Sequence, residues 1–250
     1  MSAYVSLAPY YDSLMPAQVY EAWADCCDRI FRAQNVHTVL DLACGTGTLT
    51  WMLAEKGYEV IGTDMSVDML AAAMSKMGDY AAAERPLFLQ QAAQELDLFG
   101  TVQAAVCSMD GMNYLSPDIL REAIRRVRLF LEPGGIFLFD IHTPEKLHRI
   151  DGQAFVSESE RAFCVWSASC PKGSEVCEYE IDLFIREGKR WRRETEEHRE
   201  YVHDPGKLRE LLLHSGFASV EIFGGLPLRE RTEADERLFF LCEAEKTAEK

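Results

Sequence analysis

The stretch TVLDLACGTGTLT, Thr38 to Thr50, passes from an apolar, β-branched run into a loop of small residues, Ala43 to Gly47, with an acid, Asp41, just before it. Small residues let a ligand lie against the main chain, and the helix that follows offers N–H groups with no intrahelical partner. A second acid, Asp64, ends the next apolar run, YEVIGTD, where a carboxylate can accept from the hydroxyls of a ribose.

Three ligand classes compete for such a loop. A phosphate-cradling P-loop requires GxxxxGK followed by Ser or Thr, and the first lysine after Gly45 is Lys56, which sets nucleotide hydrolysis aside. A dinucleotide site requires GxGxxG, whereas Gly45 and Gly47 are followed by Thr50. The series Asp41, Ala43, Gly45, Gly47 suits a smaller, phosphate-free nucleoside. Ala43 stands where a glycine is expected, and its methyl group is tolerable if φ stays below zero. An NAD-dependent dehydrogenase is the rival enzyme; Thr50 and the lack of a clear Tyr/Lys hydride site count against it.

Side chains that could take or orient a proton lie just past strand ends: Asp110, Asn113 and His142, joined by Tyr11 from the aromatic stretch YYDSLM. Asp110 either orients an acceptor or caps its loop. His142 either works in catalysis or satisfies a turn before Pro144. Tyr114 and Leu115 read as core anchors for the next helix, and Trp166, Tyr179, Phe184 and Trp191 as packing for a small sheet or lining for an apolar acceptor site. The eight cysteines include adjacent Cys26 and Cys27, which suits reduced thiols, and Cys164, Cys170 and Cys177 form no CxxC, so no metal centre is expected.

The elements that must position these residues follow from alternating periods. From residue 36 to about 142 apolar strands alternate with helices: strands Val36–Leu42, Tyr58–Asp64, Leu87–Gln90, Thr101–Ser108 and Ile136–Ile141; helices Thr48–Lys56, Ser66–Met77 (N-capped by Ser66) and Pro117–Phe130. That pattern gives an α/β, doubly wound, mostly parallel sheet with helices on both faces. Ala154 to Val202 alternates with period two and reads as an inserted antiparallel β element; a helix from Pro205 and two antiparallel strands follow. The expected division is residues 1–35 as an N-terminal helical lid segment, 36–150 with 205–250 as the main domain, and 151–204 as a β lid. REGKRWRRETEEHRE, Arg186 to Glu200, reads as a solvated hairpin of cross-strand charge pairs.

Lys plus Arg 26 against Asp plus Glu 41 leaves a net charge of −15, which repels a polyphosphate and makes nucleic acid a poor partner. No secretory leader is apparent, and no run approaches the ~18 apolar residues of a membrane span, so a cytoplasmic location without membrane contact is expected.

Taken together, VLDLACGTG, VIGTDMSVDML, the Gln91–Ala92 dipeptide after the third strand and LEPGGIFLFD resemble the motif series of class I S-adenosylmethionine-dependent methyltransferases over roughly residues 36 to 142. YYDSLMP, CSMDGMNYL, FDIHTPEKL and EEHREYVHDPGKLRELLLHSGF resemble a bacterial small-molecule-type branch with a β-rich insertion before the last helix; relative to its CDSLNYL pattern, Asp110 and Gly111 are displaced by one. The resemblance implies a Rossmann-like, seven-stranded sheet and S-adenosyl-L-methionine as cofactor. It implies that Asp41 orients the loop and the methionyl amine, and that Ala43, Gly45 and Gly47 line the methionyl and ribose portions. Asp64 would take the ribose hydroxyls, Met65 the adenine face, Gln91 and Ala92 the adenine edge, and Cys107 and Ser108 the methionyl border, with Tyr11 closing over the sulfonium side. Tyr11, Asp110 and His142 become the catalytic candidates. Methyl transfer by in-line displacement to N or O of a small-molecule acceptor is the expected activity, by a monomer or homodimer; the alternative is a cofactor-binding regulatory or scaffold protein.

Overall fold

In a computed structural model, which describes residues 4–78 and 85–246, the run TVLDL forms β1 (Thr38–Leu42), buried along almost its whole length. A strand that is apolar without alternation must be covered on both faces. β1 accordingly lies inside a seven-stranded sheet, flanked in parallel by β2 (Glu59–Asp64) and β4 (Val102–Cys107). β3 (Leu87–Gln90) pairs in parallel outside β2, and β5 (Leu131–His142) outside β4. β11 (Arg237–Ala244) and β10 (Phe217–Phe223) complete the other edge in antiparallel sense. Helices α3 (Thr48–Glu55), α4 (Val67–Ser75) and α5 (Pro117–Phe130) supply crossovers, with α2 (Ala17–Ala33) before β1 and α7 (Pro205–His214) before β10. This is the expected Rossmann-like sheet. No helix among the described residues is long and apolar enough to cross a membrane.

Local signals explain the boundaries. Ser66 Oγ accepts from the Met69 N–H at 3.3 Å and starts α4. The fifth strand begins at Leu131, not at Ile136: Leu131 pairs with Val102, the EPGG turn then loops out with Gly134 at φ +77°, and Ile136 resumes the ladder against Ala104. After β5 comes a short helix, α6 (Pro144–Arg149), where the sequence pattern suggested only a turn; Thr143 caps it and Pro144 occupies its first position.

The insertion forms a second sheet of β6 (Ala154–Glu158), β7 (Ala162–Ser169), β8 (Val176–Glu187) and β9 (Arg190–Tyr201), all antiparallel. Its inner face, including Cys164, Tyr179, Ile181 and Leu183, packs with Leu7, Leu14, Leu147 and Ile150. Leu7 adjoins a 3-10 turn (Ala8–Tyr10) and Leu14 ends α1 (Tyr11–Leu14), so the N-terminal segment is part of this core. The β8–β9 hairpin carries the expected outer charge pairs, Arg193 with Asp182 and Arg199 with Glu178. It is not solvated throughout, however: the alternation of a strand turns Glu196, His198 and Glu200 inward, and all three are buried.

Gly47 shows how closely the main domain is packed. It precedes α3 at φ +68°, and a Cβ there would stand 2.9 Å from Ala73 Cβ and 3.0 Å from the Phe88 ring. Gly47→Ala should therefore lower unfolding stability by about 1–3 kcal/mol in denaturant titration. Gly45→Ala, at φ +55° with nothing within 4 Å, should lose only the left-handed penalty of about 1–2 kcal/mol. Equal midpoints for wild type and Gly47→Ala would contradict this packing.

Candidate functional site

In a mostly parallel sheet, ligands bind beyond the carboxyl ends of the strands at the switch point. A cavity of about 280 Å³ lies there. Of the residues singled out from sequence, Tyr11, Ala43, Gly45, Asp64, Met65, Gln91 and Ser108 line it. Asp64 Oδ2 accepts from the Gly45 N–H at 2.9 Å, Asp64 Oδ1 accepts from the Ser66 N–H at 2.8 Å, and the Cys44 N–H donates to Thr63 O at 2.9 Å. These bonds bend the loop so that Ala43, Gly45 and Gly47 are all left-handed. The expectation of a negative φ at Ala43 is thus incorrect: it is +54°, a strain of about 1–2 kcal/mol for a residue bearing a Cβ.

Other residues of the set stand behind the wall. Gly47 spaces α3 against Ala73 and Phe88, Cys107 is buried under the turn after β4, with its Sγ 2.7 Å from where a Gly111 Cβ would sit, and Ala92 yields its place on the wall to Ala93 and Gln94. Gln91 lines the cavity, but its amide end is occupied: Nε2 donates to Asp97 O at 2.8 Å and Oε1 accepts from the Asp97 N–H at 3.1 Å. Asp41 is fully buried beneath the loop. Its Oδ2 accepts from Thr50 Oγ1 at 2.6 Å, its Oδ1 has no partner among the described residues, and burial pushes its pKa up to about 7.

Tyr4, Tyr20 and Tyr114 also face the cavity, as does Leu115. Tyr114 and Leu115 are therefore wall residues rather than core anchors alone. None of Trp166, Tyr179, Phe184 and Trp191 reaches it; Trp166 and Tyr179 pack with each other on the second sheet, and Trp191 is half exposed.

Asp110, Asn113 and His142 sit one layer further back. Asn113 is a structural tie, accepting from the His142 N–H at 2.9 Å and donating to Tyr201 O at 3.0 Å. The Asp110 carboxylate does not cap the following turn; it lies 2.6 Å from Arg237 Nη2 and 3.5 Å from His142 Nε2. Antiparallel pairing places Arg237 opposite His142, and the same guanidinium engages Asp140. His142 Nε2 faces Lys146 Nζ at 2.5 Å and Arg237 Nη2 at 2.6 Å, and Nδ1 lies 3.0 Å from Glu200 Oε2; burial opposes charge on the ring, yet Asp110 and Glu200 outweigh it and raise the His142 pKa. Asp110, His142 and Glu200 bring possible metal-ligand atoms within 4.8 Å of one another, but Arg237 already pairs with Asp110, Lys146 meets His142, and Glu200 is bonded to His142. Burial opposes charge on Asp110, yet His142, Arg237 and Lys146 outweigh it and hold the carboxyl below its ordinary range. Burial, aided by Arg149, lowers the Lys146 pKa against the opposing pull of Asp110, Glu200 and Glu236. Sequence reasoning missed Lys146, Glu200 and Arg237; the inward alternation of β9 was the available signal for Glu200.

Residues 39–135 match the family model described as a methyltransferase domain. A protein of Geobacillus sp. (strain WCH70) named as a methyltransferase is 32% identical over 248 residues, covering 96% of this chain and 98% of its own. YqeM of Bacillus subtilis (strain 168), likewise named as a methyltransferase, is 31% identical with 98% of both chains covered. Among solved structures, an S-adenosylmethionine-dependent methyltransferase from Clostridium acetobutylicum ATCC 824 superposes with a TM-score of 0.84 at 26% identity, over 98% of this chain and 100% of the other. The chain belongs to the class I S-adenosylmethionine-dependent methyltransferases. Its residues fit that cofactor: an orphaned carboxylate oxygen on Asp41 beneath a small-residue loop, and Asp64 at the end of β2, suit an amino acid joined to a phosphate-free nucleoside.

The Asp41 shift has a measurable consequence. In the unfolded chain an Asp titrates near ~3.9, whereas in the ligand-free fold Asp41 titrates at about 7. The fold thus prefers the protonated acid, and its contribution to stability is complete below the unfolded value and lost as pH rises through the folded one. Melting of the ligand-free protein should show this decline between pH 4 and 7, and Asp41→Asn should remove that component. A profile identical for the two proteins would contradict the assignment.

Proposed function

We propose that this methyltransferase acts in the cytoplasm, as a monomer or homodimer, on a nitrogen or oxygen of a small-molecule acceptor. The observation that carries this reading is the cavity wall: the glycine loop on one side and the N-terminal tyrosines on the other enclose one small space. A cavity of about 280 Å³ suits a small acceptor beside the cofactor, and a net charge of −15 disfavours nucleic acid. In this reading residues 1–35 and 151–204 form the roof, and 36–150 with 205–250 form the cofactor domain.

Hydrogen bonds tie the roof to the cofactor loop and join its two parts. Asp12 accepts from Thr46 Oγ1 at 2.5 Å and Thr48 Oγ1 at 3.1 Å and pairs with Lys76 Nζ at 2.6 Å, tying α1 to the cofactor loop. Glu196 of β9 accepts from the N–H groups of Tyr4, Ser6 and Leu7 at 2.8, 2.5 and 3.1 Å. A closed roof excludes water and fixes the approach of the acceptor, which is where most of the acceleration arises: positioning supplies roughly 7–11 kcal/mol, and proton removal adds about 10²–10⁴-fold.

S-adenosylmethionine, when bound, supplies a methyl group made electrophilic by its sulfonium. Asp41 would hold the methionyl amine, Ala43 and Gly45 would lie along the methionyl and ribose parts with Gly47 supporting them, and Asp64 would take the ribose hydroxyls. Met65 would cover the adenine face, Gln91 and Ala92 its edge, and Ser108 with Cys107 behind it the methionyl border. Tyr11 would close the sulfonium side and touch the reacting groups. Asp110 and His142, held by Arg237 and Glu200, would act as positioning residues for the wall that Met109 and Gly111 present.

Incubation with labelled S-adenosylmethionine and a metabolite extract should place label in the small-molecule fraction; label confined to protein or nucleic acid would refute the reading. Asp64→Ala should weaken cofactor binding by about 1–3 kcal/mol. Asp110→Asn should lower kcat by about 10²-fold through misplacement of the wall it holds while leaving cofactor affinity within twofold, and unchanged turnover would remove Asp110 from the mechanism.

A further inference from the structure

Four tyrosines, Tyr4, Tyr11, Tyr20 and Tyr114, line the cavity. The ring of Tyr4 lies 5.8 Å from those of Tyr11 and Tyr114, at interplanar angles of 77° and 44°. Tyr4 Oη donates to Tyr114 Oη at 2.8 Å. All four face the same space. Inclined rings linked through their hydroxyls keep their orientations and present faces and edges from several directions.

The charge that lines this space has one sign. Among the described residues lining the cavity none is Lys, Arg or His, and Asp64 is the only charged one. Asp41 lies beneath and Asp110 behind. Cations behind the lining are committed: Arg237 to Asp110 and Asp140, Lys146 to His142, and Lys76 to Asp12. The phenols stay neutral: burial raises the pKa of Tyr4, Tyr20 and Tyr114, and lifts that of Tyr11 to about 12.

We propose that Tyr4, Tyr11, Tyr20 and Tyr114 form a cage for a nitrogen that becomes cationic, and that the acceptor is an amine. This rests on the function proposed above and narrows it. A hydroxyl acceptor must shed its proton to attack well, and the oxyanion so formed would sit without a cation among acids. A neutral amine attacks with its lone pair; the N–C bond forms as the S–C bond breaks and that electron pair stays on sulfur. The product is an N-methylated ammonium and a neutral thioether. For a primary or secondary amine the ammonium proton then passes to solvent; for a tertiary amine the charge remains. Ring faces and nearby carboxylates stabilise such a charge, more strongly when water is excluded.

The probe is a pair of equal shape: choline, with a quaternary nitrogen, and 3,3-dimethyl-1-butanol, with carbon in its place. Both are titrated calorimetrically into the full-length protein saturated with S-adenosylhomocysteine. Choline should bind at least about tenfold more tightly, as expected of a desolvated aromatic cage. Tyr114→Phe should keep that preference and Tyr114→Leu should lose it; should Tyr114→Leu fail to fold, the wild-type pair decides alone. Equal affinities for choline and the alcohol overturn the proposal. So does labelled-methyl transfer to phenols or alcohols but not to amines. If the tyrosine variants alter the ratio of S-adenosylmethionine to S-adenosylhomocysteine affinity but leave the choline preference intact, the rings serve only the sulfonium and the proposal falls. Failure of S-adenosylhomocysteine to bind the wild type would instead refute the methyltransferase reading itself.

Discussion

Three inward side chains of one strand hold the two sheets and the N-terminal segment in register. On β9, Glu196 receives the backbone N–H groups of Tyr4, Ser6 and Leu7, His198 Nε2 lies 3.0 Å from Glu196 Oε2 with its ring 4.4 Å from that of Tyr4, and Glu200 meets His142 at the end of β5. Burial works against ionised Glu196, but His198 and the three N–H groups outweigh it and keep its pKa low. Groups paired in this way are far more stabilising together than apart, since removing one partner of a buried pair costs about 3–5 kcal/mol. The position of Tyr4 depends on this row, and through Tyr4 so does the packing of Tyr11 and Tyr114 around the cavity.

The row also explains why the buried strands of the main domain were legible residue by residue and the inward face of the inserted sheet was not. Continuous apolar runs read directly as buried parallel strands, and the Leu87–Gln90 strand and the Ser66 cap appear where the pattern places them. In the insertion, the glutamates and arginines of Arg186 to Glu200 look alike to a reading based on charge, and only strand alternation separates the outward Arg193 and Arg199 from the inward Glu196 and Glu200. Arg237 lies far from His142 along the chain and reaches it because β11 turns antiparallel against β5. Nothing local in the sequence reports that contact.

The glycine loop marks a different boundary. Its residue types point to a ligand against bare backbone, and the cavity is found there. The hand of Ala43 was not readable, because it is imposed by partners outside the loop, Asp64 on Gly45 and Thr63 on Cys44, whose hydrogen bonds outweigh the strain of one alanine. Tyr114 misled for a related reason: a large aromatic at the start of a helix is an equally good core anchor and cavity wall, and only the neighbouring Tyr4 hydroxyl decides between them.

The electrostatic design then follows from position. Asp41, Asp64 and Asp110 surround the cavity from below, the side and behind, and the cations near them are already paired. Such a site suits a ligand carrying a sulfonium and an amine, whose positive charge favours the ionised form of Asp41. The most direct test of the central claim, that this cofactor lies between the glycine loop and the N-terminal tyrosines, is amide hydrogen exchange with and without S-adenosylhomocysteine. Slower exchange in residues 43–47, 64–66 and 4–14 is the expected result, with β6 unaffected. Protection by NAD in place of S-adenosylhomocysteine, or protection confined to the inserted sheet, would contradict it.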